Sequence, residues 1–178
     1  MSRPQGFPLR SPPLYIPATE RLDTLVIAIH AGYEIGTADV ARRIHAACPA
    51  RAGLYIHWCP NHITSAIFHE PLFDTVVRHY KTVISIHGMR STDQIAHVGG
   101  RDRRRVLRLR KALGLPLRQE PPPHLRGLQD TNVVNRGSDD AGVQVEISYP
   151  LLFKACPLRN WIADRIAATL MTSSSCRR

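Results

Sequence analysis

The stretch LDTLVIAIH, residues 22–30, indicates the fold class and raises a question of chemistry. Its nearly continuous run of apolar and β-branched residues is typical of a central strand covered on both faces. The run ends on His30, and Glu34 follows within four residues. A buried strand does not need an imidazole at its end and a carboxylate just beyond it, whereas a metal site needs both kinds of group.

The stretch KTVISIHG, residues 81–88, repeats this pattern and ends on His87 and a glycine. Side chains at the ends of neighbouring central strands in an open α/β sheet converge on the crevice where such folds bind ligands. His30, Glu34 and His87 have the ligand count of a catalytic zinc site, in which a fourth position is left for water. The alternative interpretation is that each histidine is a hydrogen-bonded structural group.

Strand and helix patterns alternate along the remaining chain. Further strands are predicted at 53–58, 95–100 and 142–148, and helices at 37–48, 70–80, 102–113 and 157–171. The alternation predicts a single-domain α/β fold in which helices flank a mixed central β-sheet. We expect this domain to span residues 22–172, after an extended proline-rich lead-in at 1–21 and before a frayed tail at 173–178.

The charge of the chain restricts its partners. Its 178 residues include 24 Lys+Arg and 14 Asp+Glu, which give a formal net charge of +10. A field of this sign attracts polyanions, either a nucleic acid or an acidic substrate. The basic helix at 102–113 favours a nucleic-acid-binding protein, but an aromatic content of 6% and the lack of a known nucleic-acid-binding motif argue against one.

Two sequence features concern location. No window approaches 18 consecutive apolar residues, so no membrane span is predicted. The first residues contain several prolines and no apolar segment of the signal-peptide type, which predicts a cytoplasmic protein.

The block NRGSDDAGVQVEIS, residues 135–148, contains a further candidate residue. Its strand alternates between an apolar face and a polar face, and the polar face carries Glu146. A carboxylate at this position is costly to bury unless it has partners or a catalytic role. The alternative is that Glu146 points to solvent from a half-exposed strand.

Five blocks in the same order resemble the phage and bacterial poly-γ-glutamate hydrolases, namely IHAGYEIGT, HITSAIFHEP, SIHG, VGGRD and NRGSDDAGVQVEIS. These enzymes are zinc peptidases with a core similar to that of the metallocarboxypeptidases. The resemblance implies a zinc carboxypeptidase-like fold and a zinc-dependent amidohydrolase that cleaves γ-glutamyl linkages. The chain departs from the family motif at one point, because His30 and Glu34 enclose three residues instead of four and Ala31 replaces a glycine.

The resemblance also implies the roles of individual residues. These are the Zn²⁺ ligands His30, Glu34 and His87, the general base and acid Glu146, and the residues Arg136 and Asn135, which would face a substrate carboxylate. His62 lies in the family block HITSAIFHEP and is a further candidate for substrate binding. We expect a monomer that acts on an acidic polymer or peptide and has neither a membrane nor a nucleic-acid partner. Release by cell lysis, as for a phage-related enzyme, would bring it to an extracellular polymer. A peptidase that acts on α-linked or cell-wall peptides is the alternative within the same class.

Overall fold

In the computed structural model, which describes residues 11–59, 61–115 and 120–172, six strands form one sheet. They are β1 (Leu14–Ile16), β2 (Thr24–Ala28), β3 (Ala52–Ile56), β4 (Thr82–Met89), β5 (Ala96–Gly100) and β6 (Val143–Ser148). The spatial order is β1-β3-β2-β4-β6-β5. The inner strands β3, β2, β4 and β6 are parallel, and the edge strands β1 and β5 are antiparallel to their neighbours. The predicted α/β class with a mixed sheet is therefore confirmed.

Helices cover both faces of the sheet. They are α1 (Thr37–Ala47), α2 (Pro71–Val76), α3 (Arg103–Ala112), α4 (Tyr149–Leu152) and α5 (Pro157–Met171). On one face, Val40 and Ile44 of α1 share a buried apolar cluster with Ile166 of α5 and with strand residues. On the other face, Phe73 of α2 packs in a second cluster that includes Tyr80. In the part of the chain that is described, no helix is both long enough and apolar enough to cross a membrane.

The structure adds one short strand and one short α-helix to the predicted set, β1 and α4. β1 lies within the predicted lead-in and pairs with β3, so that Tyr15 lies opposite Tyr55. The Tyr15 and Tyr80 hydroxyls are 3.1 Å apart, which fastens this segment to the second apolar cluster. Sequence analysis did not predict β1, because a strand of three residues between prolines is too short to show the alternation of side chains that marks a strand. The predicted tail at 173–178 lies outside the described residues, and the domain limits stay a prediction.

The connections between strands place a crevice at the ends of β2 and β4. From β2 the chain passes through α1 to β3 on one side, and then through α2 to β4 on the other side of β2. In an open α/β sheet, ligands bind outside the carboxyl ends of the strands at such a reversal. His30 lies just past β2, and His87 lies in the last part of β4. The topology therefore brings both histidines to one crevice.

Candidate metal and catalytic site

A tight turn after β2 carries Glu34 back over the end of the sheet. The His30 carbonyl accepts hydrogen bonds from the Tyr33 amide at 2.8 Å and the Glu34 amide at 2.7 Å. Gly36 then adopts a φ of 95°, and a Cβ there would lie 2.5 Å from the Leu152 carbonyl oxygen, so this position requires glycine. The turn compensates for the shortened spacing, because Glu34 Oε1 still lies 3.1 Å from His30 Nδ1.

The three predicted metal ligands come together in this crevice. The His30 and His87 Nδ1 atoms are 3.2 Å apart. Glu34 Oε2 lies 3.4 Å from His87 Nδ1, and all three side chains are buried. A tetrahedral zinc ion holds neighbouring ligand atoms about 3.3 Å apart. The distances among these donor atoms therefore fit a tetrahedral metal.

The outer hydrogen bonds of the cluster orient its donor atoms. His30 Nε2 lies 2.5 Å from the Ile63 carbonyl oxygen, which can only accept, so this nitrogen carries the proton. His87 Nε2 lies 2.8 Å from Ser85 Oγ, and the Gly88 amide donates to Glu34 Oε2 at 2.9 Å. In a metal-bound form, His87 would carry its proton on Nε2 and donate it to Ser85 Oγ, and both Nδ1 atoms would present lone pairs. Two lone pairs and a carboxylate that face one another form a site suited to a cation.

The pKa values of Glu34 and His87 also bear on whether the site can bind a cation. Burial favours the neutral form of Glu34, but the attraction of His87 and the hydrogen bonds of both histidines outweigh it and lower its pKa to about 2. Burial likewise opposes a charge on His87, but Glu34 and Glu146 raise its pKa to about 9. In the metal-free site Glu34 is therefore ionised at neutral pH and paired with a protonated His87, and a bound cation would take the place of that proton.

Glu146 lies beside this cluster on β6. Its backbone is in register with His87 on β4 and His97 on β5, and the residue is only 5% exposed. The structure therefore differs from the alternative in which this side chain points to solvent. Gln144 Nε2 donates to Glu146 Oε1 at 2.9 Å. Burial raises the pKa of Glu146, against the opposite effect of His87. A carboxyl group with a raised pKa can both accept and return a proton.

The cluster opens into a cavity of about 860 Å³. Its walls include the candidate residues Glu34, His62, His87 and Glu146, and also residues that sequence analysis did not assign, among them Arg90, His97 and His124. His62 is exposed, and its ring centroid lies 4.6 Å from that of His30. Donor atoms of His30, Glu34 and His62 all lie within 4.8 Å of one another, so His62 borders the metal position as well as the cavity.

Arg136 and Asn135 are not among the described residues that line this cavity, and their substrate-binding roles stay predictions. The Arg136 guanidinium donates to the carbonyls of Phe68 at 2.6 Å, Ala66 at 3.3 Å and Thr131 at 2.8 Å. Asn135 is buried and its amide donates to backbone carbonyls of the 127–129 segment. Both side chains therefore fasten the loops that form the cavity walls.

Replacing Arg136 with alanine is expected to lower the free energy of unfolding by about 2 kcal/mol, because a charged donor to three backbone carbonyls is lost. Urea denaturation of the purified protein measures the change. Arg104→Ala, at an exposed position on α3, is the matched control and should change stability by less than about 0.5 kcal/mol. Unchanged stability of Arg136→Ala together with a large rise in KM would support the substrate-binding role.

A family model described as poly-gamma-glutamate hydrolase matches residues 15–161 of this chain. Among curated proteins, the SPbeta prophage-derived protein YoqZ of Bacillus subtilis (strain 168) is 32% identical over 133 residues, which cover 70% of this chain and 48% of YoqZ. The chain spans about half or less of the length of the curated relatives that it matches.

Two solved structures share the fold along most of the chain. A bacteriophage poly-gamma-glutamate hydrolase superposes with a TM-score of 0.72 at 20% identity, covering 88% of this chain and 86% of that one. A structure of YndL in its apo, zinc-free form gives a TM-score of 0.69 at 26% identity, with 92% and 91% of the two chains covered.

Proposed function

Since this chain belongs to the poly-gamma-glutamate hydrolase family, we propose that it is a zinc-dependent amidohydrolase that cleaves γ-glutamyl linkages. The observation that carries the proposal is the convergence of His30 Nδ1, His87 Nδ1 and the Glu34 carboxylate at separations of 3.1–3.4 Å. Two histidines and one carboxylate leave one position of a tetrahedral ion open, as catalytic zinc requires. Zinc is the first metal to test, because the related YndL structure is described as zinc-free.

When bound, zinc would lower the pKa of a coordinated water and polarise the scissile carbonyl. His30, Glu34 and His87 hold the ion in this proposal. Glu146 accepts the proton of the attacking water on its carboxylate and returns that proton to the leaving amine nitrogen. The Gln144 amide, at 2.9 Å from Glu146 Oε1, keeps the carboxylate pointed into the cavity through both transfers.

The charge of the chain supports an acidic substrate. Its net charge of +10 draws polyanions towards the surface, and the steering weakens with salt. Two arginines of the basic helix α3 have structural partners: Arg105 pairs with Asp102 at 2.8 Å, and Arg110 donates to the Val98 carbonyl. These contacts weaken the nucleic-acid hypothesis, since a guanidinium committed to the fold is less able to contact phosphate.

The test is hydrolysis of poly-γ-glutamate by zinc-loaded protein. We expect the polymer to become shorter by gel electrophoresis while one primary amine appears for each bond cut. Poly-α-glutamate is the matched control, because it has the same composition and charge but α-linked amides. Cleavage of the α-linked polymer alone would support the peptidase alternative, and cleavage of neither polymer by protein that contains zinc would reject the proposal.

A further inference from the structure

Among the described residues, Arg90 is the one arginine that lines the candidate catalytic cavity. It follows the end of β4 directly, three residues after His87, and is exposed. The same cavity is lined by Glu34 and Glu146. A cation at this position faces the space that a substrate must enter to reach the metal ligands.

The Tyr33 phenol contacts the Arg90 guanidinium. Arg90 Nη2 donates to the Tyr33 hydroxyl at 3.3 Å, and Tyr33 belongs to the turn between His30 and Glu34. A neutral hydroxyl orients the guanidinium but leaves its charge uncompensated.

Two other described arginines, Arg136 and Arg101, have partners within the protein. Arg136 is bound to backbone carbonyls, and Arg101 forms an ion pair with Asp130. Within residues 11–59, 61–115 and 120–172, no carboxylate lies within ion-pair distance of Arg90. Arg90 is therefore positioned for a carboxylate that arrives with the ligand, and its planar fork can bind both oxygens.

We propose that Arg90, oriented by Tyr33, binds the free α-carboxylate of a glutamyl unit next to the scissile γ-amide and so determines specificity for this linkage. The proposal rests on the proposed function above. In a γ-linked chain, the free carboxylate is attached to the α-carbon, whereas in an α-linked chain it lies at the end of the side chain. Tyr33, in the turn between His30 and Glu34, orients the Arg90 guanidinium. The guanidinium can therefore favour a carboxylate at one of these two positions over the other.

Kinetics of Arg90 variants on poly-γ-glutamate test this role. We expect Arg90→Gln to raise KM at least about tenfold with a smaller change in kcat, because a two-pronged, charge-assisted pair with the substrate carboxylate is lost. Arg90→Lys should give an intermediate KM, since it keeps the charge without the fork. Arg104→Gln controls for long-range attraction, and its KM should stay within about twofold of the unmutated protein in 0.5 M salt.

A neutral substrate separates carboxylate binding from a structural role. Poly-γ-glutamate with methyl-esterified α-carboxylates should be cleaved with the same KM by the unmutated protein and by Arg90→Gln. An equal loss on free and esterified polymer, or an unchanged KM of Arg90→Gln on the free polymer, would overturn the proposal.

Binding measurements keep this result distinct from failure of the proposed function. Calorimetric titration of zinc-loaded protein with γ-linked pentaglutamate needs no turnover, and we expect Arg90→Gln to weaken binding at least about tenfold. Binding that depends on Arg90 without any hydrolysis would retain this inference and reject the enzymatic function. Equal affinity of the unmutated protein and Arg90→Gln would reject this inference even if hydrolysis is observed.

Discussion

Replacing Glu146 with glutamine is expected to lower kcat for γ-glutamyl hydrolysis by at least ~100-fold, the usual effect of removing a general base. Glutamine has nearly the same shape and can still bond with the Gln144 amide through its carbonyl oxygen, so the buried strand should keep its packing. It cannot take a proton from water at neutral pH. Steady-state rates of amine release measure the effect.

Two controls accompany the Glu146 variant. Its zinc content and its unfolding midpoint should match those of the unmutated protein, because Glu146 is not in the proposed ligand set. Glu20→Gln removes a carboxylate from an exposed position and should leave kcat within about twofold. Turnover by Glu146→Gln within about threefold of the unmutated rate would show that the buried carboxylate is not the base.

Replacing His87 with alanine is expected to reduce bound zinc from close to one ion per chain to nearly none, and hydrolysis with it. His87 supplies one of the three donor atoms, and two remaining ligands hold zinc weakly. Elemental analysis after dialysis against zinc-containing and then zinc-free buffer measures the content without reference to activity. Zinc retained at full stoichiometry would remove His87 from the ligand set.

Other histidines of the cavity provide the comparison for His87. His124→Ala, at an exposed position on the cavity wall, should keep its zinc. His62→Ala separates two possible ligand sets, because His62 also lies within reach of His30 and Glu34. We expect it to keep most of the zinc, since His87 is buried and its Nε2 is oriented by Ser85, whereas His62 is exposed.

Local patterns predicted the part of the site that lies on strands. The β-branched runs of β2 and β4 are long enough to be recognised as strands from the sequence. Because the two strands pair in parallel, their carboxyl ends lie side by side. The alternation of β6 likewise placed Gln144 and Glu146 on one face. Family blocks then supplied the roles, which sequence patterns alone left open.

The remainder of the site depends on contacts that no local pattern encodes. The carbonyls that bind Arg136 come from the 66–68 segment and from Thr131, so its partners become visible only when these loops are folded together. His97 reaches the cavity because β5 pairs antiparallel with β6, opposite Glu146. Arg90 was not assigned for the same reason, since its neighbour Tyr33 is distant in sequence.

The bonds of Arg136 have a consequence for the thermodynamics of ligand binding. One guanidinium joins Ala66 on one wall of the cavity to Thr131, which precedes Asn132 on another wall. The conformational entropy of these loops is therefore lost during folding, before any substrate arrives. Association then carries a smaller ordering cost than it would in a protein whose loops close over the ligand. The cavity walls should therefore keep their conformation when the proposed polymer substrate binds, and amide hydrogen exchange in both walls should change little.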